Sequence, residues 1–328
     1  MSLIGLARSL SFAALAVVVL AAMPACAQPA TDWPNRPVRL IVPLGAGGPA
    51  DLVGRYLAQQ LGERFKQSFF VENRPGAAGV IGTAEAAKAA PDGYTLLIVA
   101  APHINVEILN PHKPYQLLRD FAPIAATFST DAIMVVNPKV PAKTVKEFIA
   151  LAKAKPGALT YASSGPGSNK HLGGELFKLM TGTDILHVAY KGSTGARNDL
   201  LGGHVDMMFD EVPSSGPNVL AGQLRALGVT GAKRSSALPG VPTVGETVPG
   251  YEHTGWFGLM APAGTPKAIL ELLAAELKAL TDRPDVKALW EKQGAETFYK
   301  SPTEFDAFLH AEIDKWTKVV KAANIKLQ

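Results

Sequence analysis

The chain has 328 residues, a formal net charge of +4 and 47% hydrophobic residues, enough apolar material for two domains of ordinary size. The positive excess is small and dispersed, with no run of Lys and Arg interleaved with aromatics, which argues against a nucleic-acid partner. Cys26 is the one cysteine, so a disulfide framework and cysteine-built zinc sites are excluded.

Residues 1–27 read as a cleavable export leader: Arg8 precedes an apolar run at 10–23, and Ala25-Cys26-Ala27 supplies small residues for cleavage after Ala27. The run is short for a membrane span, which disfavours a retained anchor. Cleavage removes Cys26; a lipoprotein would keep it as an acylated first residue, but Met23-Pro24-Ala25 is a poor approach for that. The sequence thus predicts an exported chain without thiol chemistry.

Residues 38–42 form a buried-strand pattern, and 51–65 an amphipathic helix with Leu52, Tyr56, Leu57 and Leu61 on one face. A second strand follows at 69–72, a glycine-rich bend at 74–82, a helix at 83–89 stopped by Pro91-Asp92-Gly93, and a third strand at 94–100. The same grammar resumes with strands at 132–136, 159–162, 185–188 and 205–209 and helices at 145–154, from Asn169 onward and at 196–201. Residues 224–229, a strand at 256–260, a helix at 266–280 and a helical region at 302–323 complete the pattern. Such alternation predicts a mainly parallel sheet covered on both faces. We expect two α/β domains, 28–130 with 255–328 and 131–254 between them, joined by crossing segments at 125–136 and 256–261. A ligand cleft would lie between the two domains.

Two strand-to-helix turns are candidate sites. Gly45, Ala46, Gly47 and Gly48 expose backbone amides just before Pro49 opens a helix, an arrangement that holds anions. Asp51 either caps its own helix or receives a ligand hydroxyl or ammonium. In the second domain Ser163, Ser164 and Ser168 offer hydroxyls, Gly165 and Gly167 offer amides, and Asn169 opens a helix. Neutral donors of this kind bind a carboxylate without arginine. Gly76–Gly79 makes a third small-residue bend, and His103 and Asn105 follow the third strand, His103 being either a site residue or structural.

Enzyme readings fare less well. Residues 45–50 formally match a dinucleotide-binding turn, with Glu72 closing the next strand, so a secreted nucleotide-dependent oxidoreductase is the alternative reading. Pro43 and Pro49 crowd that turn, and no Walker lysine follows. There is no G-x-S-x-G elbow or H-E-x-x-H, and His171, His187 and His204 lack metal-ligand spacing. His187 reads as packed or hydrogen-bonded. No cofactor and no catalytic residue is expected.

The stretches "WPNRPVRLIVPLGAGGPADLVGR" (33–55), "VENRPGAAGVIGT" (71–83), "PDGYTLLIVA" (91–100), "YASSGPGSNKHLGGELF" (161–177), "HVAYKGSTGARNDLLGGHVDMMFD" (187–210) and "LPGVPTVGE" (238–246) resemble the substrate-receptor family of tripartite tricarboxylate transporters, the Bug-type periplasmic solute-binding proteins. The resemblance runs in order along the whole chain after the leader. It implies a monomeric periplasmic Venus flytrap that passes a small organic acid to a membrane permease. In that family backbone amides, hydroxyls and ordered waters hold the carboxylate, through loops matching Leu44–Asp51 and Ser163–Asn169 here. By position it adds Leu44, Ala78, Ala101 and Asp210 as cleft residues. Leu44 stands where phenylalanine is common in the family, and Arg197 where an apolar residue is common; Arg197 either reaches a ligand or solvates a helix surface, the surface being favoured.

Overall fold

The computed structural model describes residues 32–325; the leader read at 1–27 lies outside them. In chain order come β1 (Val38–Val42), α1 (Pro49–Phe65), β2 (Phe69–Asn73), α2 (Val80–Ala87), β3 (Thr95–Ala100), α3 (Ala101–Leu109), α4 (Leu117–Asp120) and β4 (Phe121–Val136). Next are α5 (Val145–Ala154), β5 (Thr160–Ser163), α6 (Asn169–Thr181), β6 (Leu186–Ala189), α7 (Ser193–Gly202), β7 (Met207–Glu211), α8 (Val212–Leu220) and β8 (Arg225–Val229). The chain returns through β9 (Thr254–Pro262), α9 (Lys267–Asp282), α10 (Pro284–Glu291), β10 (Ala295–Lys300) and α11 (Pro302–Ala322).

Strand β4 organises this order. Its 16 residues form one strand rather than a crossing segment followed by a separate strand. The first part, through Asp131, pairs antiparallel with β9 and β10, in the half-sheet β2-β1-β3-β9-β4-β10. From Ala132 on, β4 pairs with β7 and β8, in the half-sheet β8-β4-β7-β5-β6. The pairing of β1 with β2 and β3, and of β5 with β6 and β7, is parallel. The continuous apolar run Val38–Val42 suits a strand covered on both faces. At Asp131 the ladder to β9 ends, opposite Thr254.

Helix α1 shows how the turns are placed. It opens on Pro49, whose missing N–H has no helical partner to lose. Its buried face is Ala50, Val53, Gly54, Leu57, Ala58 and Leu61, whereas Leu52, expected on that face, is half exposed. The reason is a small-residue row at positions 50, 54 and 58 that lets the helix lie close on the sheet. A Cβ on Gly54 would stand 2.9 Å from the Val42 side chain. Helix α6 is fixed at both ends, by Ser168 Oγ accepting from His171 N and by Gly182 in the left-handed conformation.

Helices α3, α8 and α10 and strand β10 are additions to the elements expected from sequence. Prolines at 102, 213, 217 and 284 mask the first three, yet each sits in a first turn except Pro217, which lies inside α8. Strand β10 carries little apolar patterning and is held by its ladder to β4. A buried core runs along both half-sheets and includes Leu97, Met134, Phe177, Phe209, Trp256 and Phe305. Helix α11 packs against α3 and α6, and Glu312 accepts hydrogen bonds from Trp256 and Trp316. Among the described residues no helix is long and apolar enough to cross a membrane.

Candidate functional site

The first turn is built around Asp51, which is 2% exposed. Its carboxylate accepts from Gly47 N at 2.9 Å, Asn73 Nδ2 at 2.9 Å and Arg55 Nε at 3.0 Å. Burial pushes this carboxyl up, but the bonds from Arg55, Gly47 and Asn73 outweigh it and hold the group below the usual carboxylate range. Asp51 therefore reaches backward to brace the turn, neither capping its own first-turn amides nor facing the open space. Gly47, at φ 76°, adopts a conformation that favours glycine. Gly48 N donates weakly to Gly45 O at 3.4 Å. The Ala50 N–H has no hydrogen bond among the described residues and belongs to the positive end of α1.

The second turn divides its hydroxyls between structure and open space. Ser163 is fully buried; its Oγ accepts from Gly165 N and lies 2.7 Å from His187 Nε2. Ser168 Oγ donates to Gly165 O at 2.7 Å as well as capping α6. Gly167 N donates to His171 Nδ1, which puts the His171 proton on Nε2, 3.9 Å from Glu175. The rings of His171 and His187 stack at 3.9 Å with 7° between planes. Burial, with His171 alongside, pushes His187 down to about 4, so both rings are neutral supports behind the turn. Ser164 has no such bond and faces the cavity described below.

Helix α3 reaches the second turn. Asn105 Nδ2 donates to Gly167 O at 2.9 Å and to Asn169 Oδ1 at 3.1 Å, 62 and 64 residues away. His103, two residues earlier, is buried and turned inward. Ala100 N donates to its Nδ1 at 3.1 Å, and burial pushes the ring down to about 4. It serves the start of α3 rather than the cavity. Ala78, at φ 55°, follows Ala77 at φ 47°; two consecutive alanines in the left-handed region mark local strain beside the site.

Between these parts lies a cavity of about 420 Å³, within the range of small-molecule sites. Leu44, Ala78, Ala101, Ser164, Ser168 and Asn169 line it, as expected candidates brought to one place. Gly47, Gly48, Asp51, His103, Ser163, Gly165 and Asp210 do not line it. Asp210 is fully buried, accepting from Arg197 Nε at 2.7 Å and Ser215 Oγ at 2.6 Å. Burial would raise its carboxyl, but Lys170, Arg197 and Ser215 hold it well below the usual range. Arg197 is thus a half-buried ion-pair partner, not a surface residue, because Asp210 on the neighbouring strand needs its charge. Sequence reading missed Lys170, Glu211, Thr130, Trp256 and Phe257 as lining residues. Adjacency to Asn169 and Asp210 was the available signal for the first two. Trp256 and Phe257 look like any core strand. No cluster of three or more metal-ligating side chains occurs among the described residues.

Comparison with known proteins gives this geometry its context. A family model described as the tripartite tricarboxylate transporter family receptor matches residues 53–325. Protein BugT of Bordetella pertussis is 37% identical over 302 residues, covering 91% of this chain and 93% of BugT. The structure of R. palustris Rpa4515 with adipate is 38% identical, with a TM-score of 0.77, covering 90% of this chain and 99% of that one. MatC from Rhodopseudomonas palustris with bound malate is 29% identical, with a TM-score of 0.72, covering 88% of this chain and 100% of that one. These neighbours share the two-domain α/β architecture of periplasmic binding proteins. The matched family consists of solute-binding receptors rather than enzymes, which removes the oxidoreductase reading of the Gly45–Ala50 turn.

Proposed function

We propose, for a chain that belongs to the tripartite tricarboxylate transporter receptor family, a periplasmic receptor that closes on a small organic acid and delivers it to a tripartite tricarboxylate-type membrane permease. The observation that carries this reading is the cavity where the starts of α1 and α6 meet, lined by Ser164 and Asn169 and flanked by the Ala50 N–H. Two helix N-termini, a hydroxyl and an amide supply neutral donors for one carboxylate. The apolar remainder, including Leu44, Val106, Trp256 and Phe257, receives the carbon skeleton. Relatives solved with adipate and malate support an acidic ligand.

Residues 28–130 with 255–328 form one lobe in this proposal and 131–254 the other, with β4 and β9 as the crossings. A mobile pair of lobes admits the acid and then excludes water from it. The leader at 1–27 supports export to the periplasm, and the receptor acts as a monomer. The test is a thermal-shift screen of the chain from residue 28 against organic acids, followed by calorimetry. A ligand at one hundred times its Kd stabilises the folded state by about 2.7 kcal/mol. Absence of any shift across mono-, di- and tricarboxylates would overturn the receptor reading.

A further inference from the structure

Among the described lining residues only two carry charge, Lys170 and Glu211. Lys170 is the second residue of α6 and 4% exposed, a costly place for a cation, since burial and the positive end of the helix both oppose it. Two acids compensate it. Lys170 Nζ lies 3.2 Å from Asp210 Oδ1 and bonds Glu211 Oε1. The two acids are held very differently. Asp210 is locked by Arg197 and Ser215 with no exposure, whereas the Glu211 side chain is 40% exposed and ion-paired to Lys170. Glu211 can turn to solvent; Asp210 cannot.

Resting on the receptor reading above, we propose that Lys170 is a specificity residue whose ammonium exchanges Glu211 for a second anionic group on the ligand. The ligand class is then a diacid, its first carboxylate on the neutral donors of the two helix starts and its second on Lys170. Asp210 and Arg197 already neutralise one another, and Glu211 balances Lys170 while the site is empty. An incoming carboxylate replaces Glu211 one for one, so the enclosed charge beside Lys170 is unchanged. A monoacid leaves the Lys170–Glu211 pair intact and forgoes this contact. An ω-ammonium group meets the like charge of Lys170 and is rejected.

Calorimetry on the chain from residue 28 with adipate, hexanoate and 6-aminohexanoate, and with succinate against butyrate, tests the assignment. The diacid of at least one matched set should bind ten-fold or more tighter than its monoacid, and 6-aminohexanoate should bind no better than hexanoate. In Lys170→Met the diacid and monoacid should bind alike. In Glu211→Gln, which removes the competing carboxylate, the diacid preference should grow. The wild-type comparison needs no variant, so a poorly folding Lys170→Met leaves the proposal testable. Equal wild-type affinities within both pairs, a preference that survives Lys170→Met, or tighter binding of 6-aminohexanoate than of hexanoate would each overturn it. Failure of all five probes to bind also overturns it; a thermal shift with some other organic acid would then show the receptor reading still standing.

Discussion

Replacing Asp51 with alanine separates two roles that its position allows. The carboxylate accepts from Gly47 N and Asn73 Nδ2, each at 2.9 Å, and Asn73 Nδ2 also donates to Leu44 O at 3.3 Å. Arg55 is different: its side chain is 56% exposed and it also reaches Asn73 Oδ1, so its loss contributes little. Leaving a buried donor without a partner costs about 1–3 kcal/mol. Gly47 is exposed to water and Asn73 Nδ2 keeps the Leu44 carbonyl, which puts Asp51→Ala at the lower end, about 1–2 kcal/mol in total. Urea unfolding followed by tryptophan fluorescence should show the midpoint falling with the slope unchanged. Asp51→Asn should recover part of the loss, since its carbonyl oxygen can still accept from Gly47 N and Arg55 Nε while its amide faces the Asn73 donor. A variant with undiminished stability but abolished acid binding would refute the bracing role and make Asp51 a direct ligand contact.

The two serines of the second turn should behave oppositely. Ser164→Ala should weaken acid binding by about 1–3 kcal/mol, by calorimetry, with little loss of stability; Ser163→Ala should lower the urea midpoint through loss of the part-buried His187 contact. Asn105→Ala removes the bonds to Gly167 and Asn169, so acid affinity should fall by up to about thirty-fold, since two neutral bonds contribute about 1 kcal/mol each; unchanged affinity would show that these bonds do not support the bound form. Acid should destabilise the protein. Burial lowers His103 and His187 to about 4 and His253 to about 3, so the unfolded chain, titrating near 6.5, binds more protons below that pH. Asp131, raised by burial to about 7, opposes one of these, because its folded state gains a proton over the same range. The net effect is stability complete near pH 7 and lost as pH falls from about 6.5 toward 4, at about 1.4 kcal/mol per pH unit for each net proton; urea midpoints that stay level from pH 7 to 5 would contradict it.

Local chemistry was the legible part of this chain. A strand ending in small residues before Pro49 reads directly as a turn into a helix, and Ser168 announces α6 through its cap. The error at Leu52 has a simple cause: residue size was taken as the guide to the buried face, while α1 packs through Ala50, Gly54 and Ala58. Long-range pairings were illegible. Nothing near Arg197 announces Asp210, since their meeting depends on α7 lying beside β7. Nothing near Lys170 in the sequence announces its burial, which only the acids at 210 and 211 explain. Asn105 likewise needs partners more than sixty residues away.

The continuity of β4 governs when the molecule can finish folding. One of its edges waits for Phe257 and the strand around it, and Thr130 waits for Ala295. A ribosome therefore makes β1 to β3 long before the partners that close their half-sheet exist. Contacts of such sequence separation form slowly, because a long loop must be closed first.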